Sequence, residues 1–286
     1  MSEERIELFV KIACIQTEVK LKDKEANMAI VISLMEEAST NGANLIVLPE
    51  LFNTGYTFNN RTEITSLAEP IPEGRTVQEL IDYAKEKNIY IVGSLPEREG
   101  IDLYNTSVLV GPNGYIGKYR KTHLCGDEIY WFESGNLGYP VFHTEIGRIA
   151  MIICLDGYYP ETYRICALQK ADLICIPTNW AHCDHLPAPW HTMGPTLTMA
   201  NALSNHIFVA ACSRVGQEPG ISYAGHSLVA SPTGAPISTI AGKNQQIIYA
   251  ECNLADTRNR YLDKTNSRLA NRRTDLYGEF LGYSTN

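Results

Sequence analysis

Four apolar segments recur in the same order in the two halves of this chain, and that recurrence restricts the fold more than any single element does. "KIACIQTEV" returns as "RIAMIICLDG", "ANLIVLPE" as "ADLICIPT", "NIYIVGS" as "HIFVAAC" and "SVLVGPNG" as "SLVASPTG", at offsets between 118 and 137 residues. One such pair would be unremarkable among apolar strands. Four in register order favour two related halves. Amphipathic helices fall between the strand segments. "KEANMAIVISLMEEASTNG" closes on Gly42, "RTVQELIDYAKEKN" sets Val77, Leu80, Ile81 and Ala84 on one face, and "PETYRICALQKA" opens on Pro160. "YNTSVLVGPNG" and "YIGKYRK" read as two strands meeting at a Pro-Asn-Gly turn. Each half thus offers a mixed sheet with helices on one face. Two such sheets pack face to face with the helices outside, an α/β four-layer α-β-β-α sandwich. No linker or low-complexity stretch interrupts the 286 residues, so residues 1–286 read as a single domain.

The chain carries a net charge of −8, which argues against nucleic acid or an anionic membrane surface as a partner, since either would need a basic stripe. There is no N-terminal apolar core of a signal peptide and no apolar run long enough to span a bilayer. Eight cysteines occur without regular spacing, and Cys14, Cys166, Cys175, Cys212 and Cys252 lie in apolar surroundings where a thiol packs as a small hydrophobe. That usage fits a reducing, cytoplasmic location.

Polar residues at the ends of buried strands are where a rigid sheet can hold a site. Glu50 ends "ANLIVLPE", Lys121 ends "YIGKYRK", and Cys154 stands at the corner between "RIAMII" and the helix opening on Pro160. Singly, these are a solvated acid, a surface lysine and an inert thiol. Together they supply what thiol acyl transfer needs: a nucleophile, a base to take its proton, and a cation for the oxyanion. Placed at strand ends outside the core, Glu50 and Lys121 are expected to matter little for stability.

Over nearly its whole length the sequence resembles the nitrilase superfamily of carbon–nitrogen hydrolases. The resemblance is carried by "LIVLPELFNTGY" (45–56), "GKYRKTHL" (117–124), "IICLDGYYPE" (152–161), "YAGHSLVASPTG" (223–234) and "RRTDLY" (272–277). It implies Glu50 as general base, Lys121 as stabiliser of the tetrahedral intermediate and Cys154 as nucleophile, with the Leu155 backbone N–H as a second oxyanion donor. It also implies a second glutamate after the lysine, for which Glu128 matches better than Glu133, and an α-β-β-α sandwich that dimerises through its helical layers. Tyr56, in the first block, and Asn179 and Trp180, in the loop opening "TNWAH", are expected to line the substrate pocket.

Nitrile-hydrolysing members typically carry Trp-Glu directly after the cysteine. This chain has Leu155-Asp156, and its "CLDGYYPE" is similar to the loop of aliphatic amidases. The expected reaction is therefore cofactor-free hydrolysis of a small linear amide through an acyl-enzyme on Cys154. An N-carbamoyl amine or amino acid is the alternative substrate, ahead of a nitrile or of an inactive binding protein on the same fold. "HCDH" at 182–185, with His191 nearby, has metal-binding residue types but is one short cluster without a convincing fourth ligand, so no metal is expected. A papain-like Cys–His pair has no recognisable histidine block.

Overall fold

The computed structural model describes residues 7–186, 189 and 191–278, so Pro187, Ala188 and Trp190 of the loop after "TNWAH" lie outside the described residues. In chain order the first half holds β1 (Phe9–Gln16), α1 (Lys24–Thr40), β2 (Leu45–Val47), α2 (Arg61–Leu67), α3 (Arg75–Lys87), β3 (Tyr90–Glu99), β4 (Asp102–Gly111), β5 (Gly114–Arg120) and α4 (Glu128–Trp131). The second holds β6 (Val141–Thr144), β7 (Gly147–Met151), α5 (Pro160–Leu168), β8 (Leu173–Thr178), α6 (Gly194–Asn205) and β9 (Phe208–Ser213). A small hairpin of β10 (Gln217–Glu218) and β11 (Ile221–Ser222) follows, then β12 (Leu228–Ala230), β13 (Gln246–Asn253) and α7 (Thr274–Tyr277).

The repeat appears in the topology. One sheet runs β13-β1-β2-β3-β4-β5 and the other β12-β9-β8-β7-β6. In each, three parallel strands (β1, β2 and β3; β7, β8 and β9) are flanked by one antiparallel neighbour on either side. The strand before β1 in the first sheet is β13, supplied from the far end of the chain.

Alternation along the strands builds the layers. Val10, Ile12 and Cys14 of β1, with Leu45 and Val47 of β2, share a core with Ile149, Met151 and Ile174 of the second sheet. Ala13, Ile15 and Ile46 point the other way, onto Met28, Val31 and Met35 of α1 and Val77, Leu80, Ile81 and Ala84 of α3. Tyr163 and Cys166 of α5 and Ala202 of α6 cover the second sheet. The expected α3 face is the buried one. Helix α1 starts where the Asp23 side chain accepts from the Ala26 N–H. It stops at Gly42, which takes φ +83°, a left-handed conformation that favours glycine. No helix among the described residues is long and apolar enough to cross a membrane.

The parallel strands set the site. Glu50 lies just beyond β2, Cys154 just beyond β7 and Asn179 just beyond β8, all at carboxyl ends, while Lys121 follows the last residue of β5.

Candidate active site

The structure brings Glu50, Lys121 and Glu128 into one buried cluster. Lys121 Nζ donates to Glu50 Oε1 at 2.7 Å and to Glu128 Oε2 at 2.5 Å. The lysine side chain is fully buried, as is that of Glu50, and Glu128 is 2% exposed. The expectation that these groups stand outside the core is corrected here. Glu50 and Lys121 follow strands, but at the end of a sheet packed against a second sheet, so water does not reach them. Glu133, the weaker candidate for the second acid, is half exposed and pairs with Arg61 at 3.2 Å. Glu128 is drawn in because α4 begins on it and its Oε2 also accepts the Cys125 N–H at 2.7 Å.

Burial pushes the Glu50 carboxyl above the ordinary range, with Lys121 opposing and Glu128 adding to the rise. Burial works against the Lys121 ammonium, yet the two carboxylates, Glu128 and then Glu50, hold its pKa well above the usual lysine value. The result is a cation that stays charged beside an unusually basic carboxylate. Glu50 Oε2 is buried and has no hydrogen-bond partner among the described residues, which leaves one acceptor open.

Cys154 opens a 3-10 turn, Cys154–Tyr158, immediately after the strand run. Its φ of +44° is left-handed, a conformation that costs a residue with a Cβ about 1–2 kcal/mol. The turn is closed by a bond from Asp156 N–H to the Ile153 carbonyl at 3.0 Å. The thiol is partly buried and raised in pKa, first by burial and then by Glu50, with Lys121 pulling the other way. It is therefore a neutral thiol at neutral pH, and a base must take its proton as it attacks.

The expected pocket residues gather around it. Tyr56 donates to the Cys125 carbonyl at 3.2 Å, and Lys121 Nζ lies 6.0 Å from its ring centre. Burial raises the Tyr56 phenol well above the usual value, with Glu128 and Glu50 adding to it. The backbone of Asn179 lies beside the Cys154 thiol. The residue is 6% exposed, and neither side-chain amide atom has a partner among the described residues. Trp180 packs so closely on Gly194 that a Cβ there would stand 2.2 Å from the indole. With Cys154, Tyr158 and Ile176 it encloses a void of about 10 Å³, room for about one water molecule. Leu155 follows the thiol in the turn and is partly buried. A far larger groove, about 780 Å³ around Arg148, Lys170 and Arg258, holds none of these groups.

Two contributors went unread in the sequence. Asn105, in the middle of β4, donates through Nδ2 to Glu50 Oε1 at 2.8 Å and to Glu128 Oε1 at 2.9 Å. Its Oδ1 accepts from Ser94 Oγ at 3.0 Å, which fixes the amide orientation. The available signal was the polar run Asn105-Thr106-Ser107 opening an otherwise apolar strand, "YNTSVLV". The other is Glu218, which accepts the backbone N–H groups of Tyr56 (3.1 Å) and Thr57 (2.7 Å) and pairs with buried Arg214, so that β10 holds the Tyr56 loop. The histidine cluster stays apart. His182 meets Asp184 at 3.1 Å and His191 by its ring, and no group of three or more His, Cys, Asp or Glu among the described residues is arranged to hold a metal.

The fold is that of the nitrilase-superfamily amidases. The chain belongs to the carbon–nitrogen hydrolase family, whose model matches residues 11–261. It is 38% identical over 269 residues to a protein named nitrilase from Pyrococcus abyssi, covering 94% of this chain and 99% of that one. It is 33% identical to the omega-amidase NIT2 of Mus musculus, covering 85% and 88%. Among solved structures, it superposes with a TM-score of 0.78 and 25% identity, over 95% of this chain and 96% of the other, on a mutant amidase from Nesterenkonia sp. AN1 showing covalent addition of the acetamide moiety of fluoroacetamide at the active-site cysteine.

Proposed function

We propose that the protein hydrolyses the C–N bond of a small linear amide, releasing ammonia through an acyl-enzyme on Cys154. The observation that carries this reading is a partly buried thiol on the turn after β7, facing a buried Glu50–Lys121–Glu128 cluster in which Glu50 keeps Oε2 open. In this reading Glu50 takes the thiol proton as sulfur attacks the carbonyl carbon. The oxyanion is met by Lys121 and the Leu155 N–H. The proton on Glu50 passes to the leaving nitrogen, ammonia departs, and Glu50 then activates a water that hydrolyses the thioester. Glu128 keeps Lys121 aimed and charged. Asn179, whose buried amide has neither donor nor acceptor partnered among the described residues, suits the complementary pair that a substrate amide presents. No metal or organic cofactor enters any step.

Leu155-Asp156 after the thiol supports an amide over a nitrile, as do the relatives named amidase. An amide gives an oxyanion, matched by an ammonium and an N–H donor. A nitrile gives a thioimidate whose nitrogen must be protonated instead. The test is ammonia release from an amide, an N-carbamoyl amine and a nitrile that share one side chain. kcat/KM for the best short amide is expected to exceed that for its nitrile by at least about 100-fold, about 2.7 kcal/mol of transition-state preference. A nitrile turned over as fast would overturn the choice, and a carbamoyl compound that outruns both would replace the substrate class.

The reading includes a homodimer or larger homo-oligomer formed through the outer helices. Ile165 and Leu168 of α5 and Leu203 of α6 are exposed apolar side chains on that layer, which supports it. Light scattering on the purified protein measures the assembly directly.

A further inference from the structure

Asp156, two residues beyond the thiol, is fully buried, and its carboxylate accepts from five donors. Oδ2 takes the Tyr119 hydroxyl at 2.7 Å and the Ile153 N–H at 3.0 Å. Oδ1 takes the Thr122 hydroxyl at 2.9 Å, the His123 N–H at 3.0 Å and His123 Nδ1 at 2.7 Å. Two carboxylate oxygens offer about four lone-pair sites, so this acceptor is saturated. The His123 ring is held flat against Tyr159 at 3.9 Å between centres.

The donors fall on two chain segments. Ile153 immediately precedes the nucleophile, while Tyr119, Thr122 and His123 straddle Lys121. One side chain thus ties the turn that holds Cys154 to the segment that holds the lysine. The same carboxylate anchors the backbone on the near side of a residue forced to φ +44°.

We propose that Asp156 is a positioning residue for the reaction. It keeps Cys154 in its left-handed conformation and sets the Lys121 segment at the spacing that the tetrahedral intermediate requires. This rests on the roles of Cys154 and Lys121 given under Proposed function. Asp156 touches neither substrate nor the reacting atoms. It acts through the geometry of two groups that do, where a misplacement of about 1 Å costs about 100-fold in rate.

The experiment compares Asp156→Asn, Tyr119→Phe and Thr122→Val with the wild-type protein and with Cys154→Ala. Three quantities are read: kcat and KM on the best short amide, the pH dependence of Cys154 alkylation by iodoacetamide, and the thermal midpoint. Asn at 156 keeps the shape but turns an N–H₂ toward donors. It is expected to lower kcat by about 100-fold or more with KM changed less than about 3-fold. The alkylation profile of the folded protein is expected to shift, because the thiol has moved relative to Glu50 and Lys121. Tyr119→Phe and Thr122→Val each remove one donor from the lysine side and are expected to lower kcat by about 3- to 10-fold. A merely structural role would lower the thermal midpoint and leave the alkylation profile and kcat of the folded fraction unchanged, and that result would overturn the proposal. If Asp156→Asn does not fold, the other two variants decide, and wild-type kcat in both would overturn it equally. An active Cys154→Ala protein would overturn the underlying reading instead. An inactive Cys154→Ala beside a fully active Asp156→Asn would remove this inference alone.

Discussion

The side-chain amide of Asn105, in the middle of β4, donates to Oε1 of Glu50 at 2.8 Å. The same nitrogen spends its second hydrogen on Glu128 at 2.9 Å, so one planar group sets two carboxylates around a single ammonium. Asn105→Ala removes both bonds and leaves the Ser94 hydroxyl without its acceptor. An expected loss of about 10- to 100-fold in kcat, with about 1–3 kcal/mol of stability, follows from freeing the two acids. Steady-state kinetics and denaturant titration measure the two effects separately.

Covalent chemistry is expected at Cys154 and at no other of the eight thiols. Cys154→Ala should abolish turnover apart from residual catalysis by the surrounding donors. Substrate trapped on the wild-type protein should add acyl mass to the peptide containing residue 154. That mass on Cys125 or Cys183, the other two partly exposed thiols, would contradict the assignment.

Glu50→Gln and Lys121→Arg should each lower the rate by about 100-fold or more, as loss of a general base or a misplaced oxyanion cation does. Burial adds a second consequence. Removing one member of a buried charge pair typically costs about 3–5 kcal/mol, so Lys121→Met should lower the thermal midpoint markedly, where a strand-end surface lysine would not. Glu50→Gln, which keeps volume and one acceptor oxygen, should destabilise less. Calorimetry of the three variants orders them.

The pH dependence follows from the raised Glu50 carboxyl. Glu50 must be unprotonated to accept the thiol proton, so kcat/KM should fall as pH falls through a value above the ordinary glutamate range. For stability the sign is opposite. A carboxyl whose folded pKa lies above its unfolded one stabilises the fold when protonated, and that contribution is lost as pH rises through the folded value. Acid inactivation should thus be reversible and precede unfolding. Glu97, Glu218 and Asp172 are opposed by burial but held below the usual carboxylate range by Arg120, Arg214 and Arg148, so their contribution is lost only at lower pH. Circular dichroism across the inactivation limb, with recovery of activity on neutralisation, checks the order.

Prolonged dialysis against EDTA should leave activity intact, since a thiol nucleophile with an ammonium at the oxyanion needs no Lewis acid. Stoichiometric zinc by elemental analysis, with activity lost on its removal, would contradict this.

Strand and helix positions were legible because periodicities of 2 and 3.6 are written locally. Val77, Leu80, Ile81 and Ala84 face the core as their spacing requires. The repeat was legible as well, since four segments in order imply matching sheets, and the matching β1-β2-β3-β4 and β7-β8-β9-β12 orders carry it. The chain also marks Glu50, Lys121 and Cys154 as polar groups at the ends of strand segments. Their meeting is another matter. Glu50 and Lys121 are 71 residues apart and touch only because β2 and β5 lie in one sheet, with β13 from the far end closing its other edge. That Glu50 and Lys121 are buried, that Asn105 aims the acids, and that Asp156 ties the thiol's turn to the lysine's segment are properties of packing between sheets. A one-dimensional pattern records which residues avoid water. It does not record which distant polar groups will share a dry site, because that depends on strand order and register, and those are settled by contacts between segments far apart in the chain.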